Sequence, residues 1–429
     1  MTSAAPSTAD AAVGPAAPHS RAMVTLVVTL FFMWGLSTVL VDTVIPKLKS
    51  MFQLSFAEVM LTQFSFFIAY FIVSVPAGHL IARIGYMRGI ATGLIIMAAG
   101  GLMFAPAASM GIYPGFLAAL FVLASGITIL QVAANPLIAV IGDRSRSHSR
   151  LTLAQAFNSL GTAIGPWIGA VLILKGMAPS PDPATVTPAV LEAFRRTEAE
   201  TLQVPFVAIA AALLAMATVF WVFRHWRGAP ESEPHPAGQT DFSLLVAHPR
   251  LAFGVLSIFV YVGAEVSIGS VLTNYLMEPT TLGLAAVDAG KMLSLYWGGA
   301  MVGRFIGAGV LRLVSPGKVL AVCAVTAAAL ASLSAVSAGV VAAASVIAIG
   351  LFNSIMFPTI FSLAIEGLGN NTSRGSGLLC LAIVGGAVVP LITGVTADWL
   401  GLSLALFVPA ACYLVIAGYG WYARRPVTL

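Results

Sequence analysis

The sequence predicts an all-α membrane protein whose twelve transmembrane helices form two pseudo-symmetric six-helix bundles. Three observations predict it. Hydrophobic residues make up 59% of the 429-residue chain and Asp, Glu, Lys and Arg only 9%, more apolar surface than a soluble domain can bury. The apolar residues are gathered into twelve stretches, and crossing a hydrocarbon core takes about 20 helical residues. Landmarks of the first six stretches also recur in the last six at one fixed spacing.

In chain order, the first six spans are placed near 23–46, 58–82, 88–107, 113–141, 150–174 and 204–225. The last six are placed near 249–277, 286–313, 318–337, 341–368, 374–397 and 402–423. All are too long and too uniformly apolar for the alternating strands of a membrane barrel. Residues 1–22, rich in Ala, Pro and Ser, read as a disordered tail ahead of a first bundle over 23–225. The polar stretch 175–203 reads as an external loop between spans five and six. A linker over 226–248 precedes the second bundle, 249–423, and residues 424–429 form a second tail. Pro358 is expected to kink the tenth span.

Charge supplies the orientation. With both ends in the cytoplasm, Arg21, Arg83, Arg88, Arg144, Arg146, Arg150, Arg224, Arg227, Arg250, Arg312, Lys318, Arg374, Arg424 and Arg425 fall on the inner side. Lys47, Lys49, Lys175, Arg195, Arg196 and Lys291 fall outside, which is the positive-inside pattern. The net charge of +5 is spread along the chain and makes no contiguous basic face for nucleic acid. Cys323, Cys380 and Cys412 lie within apolar spans, without metal-ligand spacing, and read as packing residues.

The repeat is specific. Ser149-Arg150, Gly161 and Pro166 of span five correspond to Ser373-Arg374, Gly385 and Pro390 of span eleven, and Gly126 corresponds to Gly350 by the same shift. Two six-helix units about an axis along the membrane normal are the arrangement of major facilitator transporters, with a substrate site between the halves. The run from Gly78 to Arg88, with Gly78, Arg83, Gly85 and Arg88, resembles that superfamily's basic loop between helices two and three. Its glycines would let helices approach and its arginines would bind helix ends. Ala82 stands where the loop usually carries an acid.

Polar groups inside the spans point to the site, because embedding them in lipid is costly. Asp42 in span one follows Trp34, Gly35 and Thr38 at helical spacing: an acid, a hydroxyl and an aromatic ring on one stripe, as a sugar and a coupling proton would require. The alternative is a helix-end acid paired with Lys47 or Lys49. Thr128, Gln131 and Asn135 share a face of span four, ahead of Pro136, and Gln155, Asn158 and Thr162 share one of span five. Their amides can bind hydroxyls or serve as interhelical glue.

Glu265 in span seven follows Tyr261 by one turn, while Ser267, Ser270 and Asn274 form a separate stripe. Either that helix is interrupted near Gly263 or Gly269, or Glu265 has a packing partner, for which Arg304 in span eight is a candidate. Asn353 and Phe357 are candidate contacts from span ten.

The strings LQVAANP, LAQAFNSLG, YVGAEVSIGS, SLYWGGAMVGRFIG and GLFNSIMFPTIF resemble the fucose:proton symporter family of the major facilitator superfamily, most closely its bacterial glucose/galactose transporter branch. The resemblance covers residues 23–423. It implies cation-coupled hexose uptake by alternating access in a bacterial inner membrane, with no cofactor, and a monomer as the superfamily default. It also implies that Asp42 couples the proton and that Asn135, Gln155 and Asn158 line the cavity. Gln131 stands where fucose symporters have a second acid. Coupling would then rest on Asp42, move to Glu265, or use sodium, and the substrate shifts from fucose toward glucose or galactose.

Two other classes compete. A facilitative carrier or sugar sensor could use the same fold. A membrane enzyme acting on lipid-linked sugars would need a metal or acid/base cluster, yet the six histidines lie at span edges or in loops.

Overall fold

The computed structural model describes residues 18–140, 147–175, 177–178, 180–181, 185–225, 243–311, 313–368 and 371–425. Most of the predicted tail over 1–22 and linker over 226–248, the end of the second tail, and Arg144, Arg146, Arg227 and Arg312 lie outside the described residues. So do the side chains of Arg21, Pro136, Arg150 and Arg374.

The chain threads back and forth through α1 (Pro18–Phe52), α2 (Phe56–Ile84), α3 (Tyr86–Met110), α4 (Tyr113–Val140), α5 (Ser147–Gly169, extended by a π turn, Ala170–Leu174) and α6 (Pro188–Val222). A single turn, α7 (Ser243–Ala247), leads into α8 (Pro249–Met277), α9 (Ala286–Val310) and α10 (Pro316–Val336). The tenth predicted span is two helices, α11 (Gly339–Asn353) and α12 (Met356–Ile365). The eleventh is α13 (Thr372–Leu381) and α14 (Gly385–Leu400), and the last is α15 (Leu402–Ala405) and α16 (Phe407–Tyr422). α1 starts and α16 ends on one face of the molecule, called here the termini face. The opposite one is the far face.

Three elements depart from the sequence expectation. α6 begins at Pro188, so much of the predicted loop over 175–203 is helix. Its first turns carry Glu192, Arg195, Arg196 and Glu200, which lowered the hydropathy although Ala, Leu, Glu and Arg all favour helix. α11 breaks at Ser354-Ile355, three residues ahead of Pro358, because proline cannot donate to the preceding turn. Eleven helices among the described residues are long and apolar enough to cross a membrane, and α9 is not one of them. It carries Asp288, Lys291 and Arg304 and packs against α5, α8 and α11.

The far face is pinned by polar chemistry. Lys47 Nζ pairs with Glu198 Oε2 at 2.7 Å and donates to the Ile173 carbonyl at 3.2 Å, while Glu198 Oε1 accepts from the Ala178 N–H. Both side chains are buried, so α1, the π turn and the extension of α6 are tied by an ion pair sheltered from water. Ser55 and Glu58 form a reciprocal capping box at the start of α2. Asp398 at the end of α14 adds a second cap: its carboxylate accepts from the Phe56 and Ala57 N–H groups at 2.6 and 2.8 Å.

On the termini face, Arg250 ties the ends of α12 and α16 to α8 through the Leu363, Ala423 and Arg425 carbonyls and Glu366. The basic loop holds a correction. Among the described residues, a Cβ added at Gly78 or Gly85 would meet nothing within 4 Å, so neither glycine serves a close helix approach. Gly85 is instead a one-residue connector at φ +83, a conformation glycine adopts freely. Arg83 and Arg88 are exposed.

The repeated glycines have a shared use. A Cβ at Gly161 would overlap the Phe32 carbonyl of α1, and one at Gly385 would overlap the Phe259 carbonyl of α8. Spans one and five, and spans seven and eleven, therefore approach in the same way. Gly126 and Gly350 do not correspond so closely: the first packs on α3 and the second on α9.

The two sets of six spans meet toward the far face. There α14 lies on α2, with Gly394 against Phe56 and Gly386 against Phe67, and Gly290 of α9 lies on Ala170 and Leu174. Toward the termini face, α4 packs on α1, α2, α3 and α5, whereas α12 packs on α8, α10, α11 and α13. Among the described residues, the molecule is closed at the far face.

Candidate functional site

The carboxyl of Asp42 lies in the seam between the two sets of spans. Only 7% of the residue is exposed. Gln63 of α2 donates Nε2 to Asp42 Oδ1 at 2.8 Å and to Ser270 Oγ of α8, also at 2.8 Å. Ser270 Oγ donates in turn to Asp42 Oδ1 at 3.3 Å. The other oxygen, Oδ2, faces Gly269, where an added Cβ would stand 3.3 Å from it and 3.2 Å from Trp297 of α9. The alternative pairing is excluded, since Lys47 is held by Glu198 and Lys49 lies 4.1 Å over the Phe56 ring.

The stripe predicted beside Asp42 does not act as one surface. Trp34 is buried against Phe31 with ring centroids 5.3 Å apart, and Gly35 sits where a side chain would strike the Asn158 carbonyl of α5. Thr38 returns its hydroxyl to the Trp34 carbonyl. At 3.6 residues per turn, positions eight apart drift about 80° around a helix. Trp34 therefore turns into the first bundle while Asp42 turns to the second.

Glu265 occupies another polar cluster, on α8, the helix that also carries Ser270. Tyr261 donates its hydroxyl to Glu265 Oε1 at 2.8 Å and lies 3.0 Å from the Asn353 carbonyl. Tyr296 donates to the Glu265 carbonyl at 3.2 Å, and Asn353 Nδ2 donates to the Tyr296 hydroxyl at 2.8 Å. Among the described residues, Asn353 Oδ1 is buried with no hydrogen-bond partner. α8 is not interrupted at Gly263 or Gly269. Ser270 faces Asp42, Ser267 bonds Thr393 of α14, and Glu265 faces the tyrosines. Arg304 forms no ion pair with Glu265 among the described residues, although its charge attracts that carboxylate. Its guanidinium donates to Ser159 of α5, across the seam.

The amides separate by position. Gln131, Asn135 and Gln155 are half-buried, and Asn135 Oδ1 has no hydrogen-bond partner among the described residues. Thr128 is buried and bonds the Ala124 carbonyl one turn back. Asn158 is engaged as glue, donating to the Phe31 carbonyl at 3.0 Å. Asn274 stands one turn beyond Ser270 and lines a far-face recess of about 430 Å³ with Lys49, Gln53 and Ser180. It lies apart from Glu265 and Asn353. No group of three metal-ligating side chains occurs among the described residues.

Gln63, Tyr296 and Trp297 escaped the sequence reading. Gln63 could have been found, because it is the one amide in an otherwise apolar and phenylalanine-rich span. Tyr296 and Trp297 carried no comparable signal.

A model of the Major Facilitator Superfamily matches residues 25–384. The chain is 51% identical over 391 residues to a glucose/galactose transporter of Brucella abortus biovar 1 (strain 9-941), with 91% of each chain covered. It is 35% identical over 417 residues to the L-fucose-proton symporter of Escherichia coli (strain K12), covering 94% of this chain and 93% of that one. Crystal structures of the E. coli fucose:proton symporter, one of them in the outward conformation, superpose with a TM-score of 0.68 at 33% and 32% identity, covering 94% of this chain and 99% of theirs.

Proposed function

Because the chain belongs to the Major Facilitator Superfamily, we propose that it is a secondary active symporter taking up glucose or galactose with a proton by alternating access. The termini face is cytoplasmic in this reading, the membrane is a bacterial inner membrane, and the carrier works as a monomer of two six-helix halves. The observation that carries the coupling is the placement of Asp42 in the seam, where closure at the far face buries its carboxyl.

Leaving a bare carboxylate there costs several kcal/mol of lost hydration. Closure therefore selects the carrier whose Asp42 is protonated. Opening toward the termini face delivers sugar and proton together, and a charged, empty carrier resists closing. Gln131, Asn135 and Gln155 are the sugar-binding amides of the first half, and Asn353 that of the second. Glu265, held by Tyr261, shapes the second-half wall. Lacking a titratable group at Gln131, the chain couples through Asp42.

The test is uptake of labelled glucose and galactose into vesicles holding the purified protein. An imposed inward proton gradient should drive accumulation above the external concentration, and collapsing it should return the ratio to about one. Accumulation that survives loss of the proton gradient and needs sodium would replace the proton in this account. Accumulation in neither gradient would leave a facilitative carrier.

A further inference from the structure

The symport reading places the proton on Asp42 but does not say how the second half senses it. Four observations bear on that question. Two donors from different halves, Gln63 and Ser270, both address Oδ1, at 2.8 and 3.3 Å. Gln63 also bonds Ser270 at 2.8 Å, so the three groups close a triangle that fixes the carboxyl's direction. Oδ2 is thereby turned into the niche left by the absent side chain of Gly269, with Trp297 as its other wall. All three polar residues are buried, at 7%, 2% and 0% exposure, which leaves no hydrated edge.

Resting on that reading, we propose that Gln63, Gly269 and Ser270 form a proton-sensing seat, in which the donors hold Oδ1 as an acceptor and the Gly269 niche admits Oδ2 only when it carries the proton. Gln63 and Ser270 are positioning residues: they act through the carboxyl and touch no sugar. A protonated Oδ2 is compact and neutral and fits against the glycine. A bare one keeps its water shell, which the niche cannot hold, so the halves stay apart. Glu265 is the other ionisable group whose charge acts on Asp42, and it is held away by Tyr261. No basic side chain pairs with Asp42 among the described residues.

Removing the donor of the second half frees the carboxyl to rotate out with its water, so closure no longer demands the proton. The seat thus predicts slippage rather than simple loss. Ser270→Ala is measured in vesicles for sugar flux and, with a trapped pH dye, for protons moved per sugar. The expected result is sugar exchange within about threefold of wild type and a proton-to-sugar ratio reduced at least about fivefold. Gln63→Leu, read the same way, serves if Ser270→Ala fails to fold.

A merely structural role would lower both fluxes together and leave their ratio unchanged. That outcome in either variant overturns the seat. Should wild type move sugar without protons, the symport reading fails first, independently of the variants. Gly269→Ala, whose methyl would crowd both Oδ2 and Trp297, is expected to slow exchange while keeping the ratio. A wild-type exchange rate there would also overturn the niche.

Discussion

At the scale of single residues, two buried carboxylates are held in opposite ways. Among the described residues, Asp42 meets neutral donors, whereas Glu198 meets the ammonium of Lys47. The first can gain a proton at little cost to its surroundings, and the second is locked. Asp42→Asn, which mimics the permanently neutral state, is expected to abolish concentrative uptake while sugar exchange continues; the accumulation ratio and counterflow check it. Lys47→Met should destabilise the protein by about 3–5 kcal/mol, because it strands a buried charge. Lys47→Met with Glu198→Met should recover most of that loss in thermal unfolding in detergent. Asp42 was legible because an acid within an apolar span is conspicuous. The grouping around it was not, since sequence spacing fixes angles on one helix and says nothing about which neighbour each angle meets. Gln63, one helix away, supplied the shortest bond to Asp42, whereas Asn274, on the expected stripe, opens on a different recess.

At the scale of elements, the cap that Asp398 places on α2 joins helices from different halves. It exists only while the far face is shut. A carboxylate at a helix N-terminus contributes about 0.5–2 kcal/mol, roughly a factor of two to thirty in the balance between closed and open. Asp398→Asn is therefore expected to shift the population toward an open far face, and spin labels near the far ends of α2 and α14 would report a longer distance. An unchanged distance distribution would show that the apolar contacts of Gly386 and Gly394 suffice. The helices themselves were readable from hydropathy, with errors where lipid was not the solvent. The start of α6 was missed because its charged turns stand in water yet remain helical, and the break before α12 fell slightly ahead of the proline that causes it.

At the scale of the whole molecule, the twofold repeat was written in the sequence as a constant offset, and its physical content is the matched contacts of Gly161 on α1 and Gly385 on α8. The state of the seam could not be read the same way. Nothing in a repeat says which end of two rocking bodies is shut, because both states use the same helices and differ only in which surfaces touch.

The composition of α9 also bears on how the protein is made. A basic residue within an apolar helix raises the cost of entering lipid, and α9 carries Arg304 and Lys291 among small and aromatic residues. Such a segment is retained poorly when it leaves the insertion machinery alone. It needs partners already waiting, which α5 and α8 provide, and α11 arrives later. Chains in which α5 is replaced by an unrelated apolar helix should leave a cysteine introduced in place of Ala308 reactive from the far face in a measurable fraction, and chains with α5 intact should not. Folding of the second half would then begin only once the first is in place, a biosynthetic dependence imposed by the same arginine that spans the seam in the finished carrier.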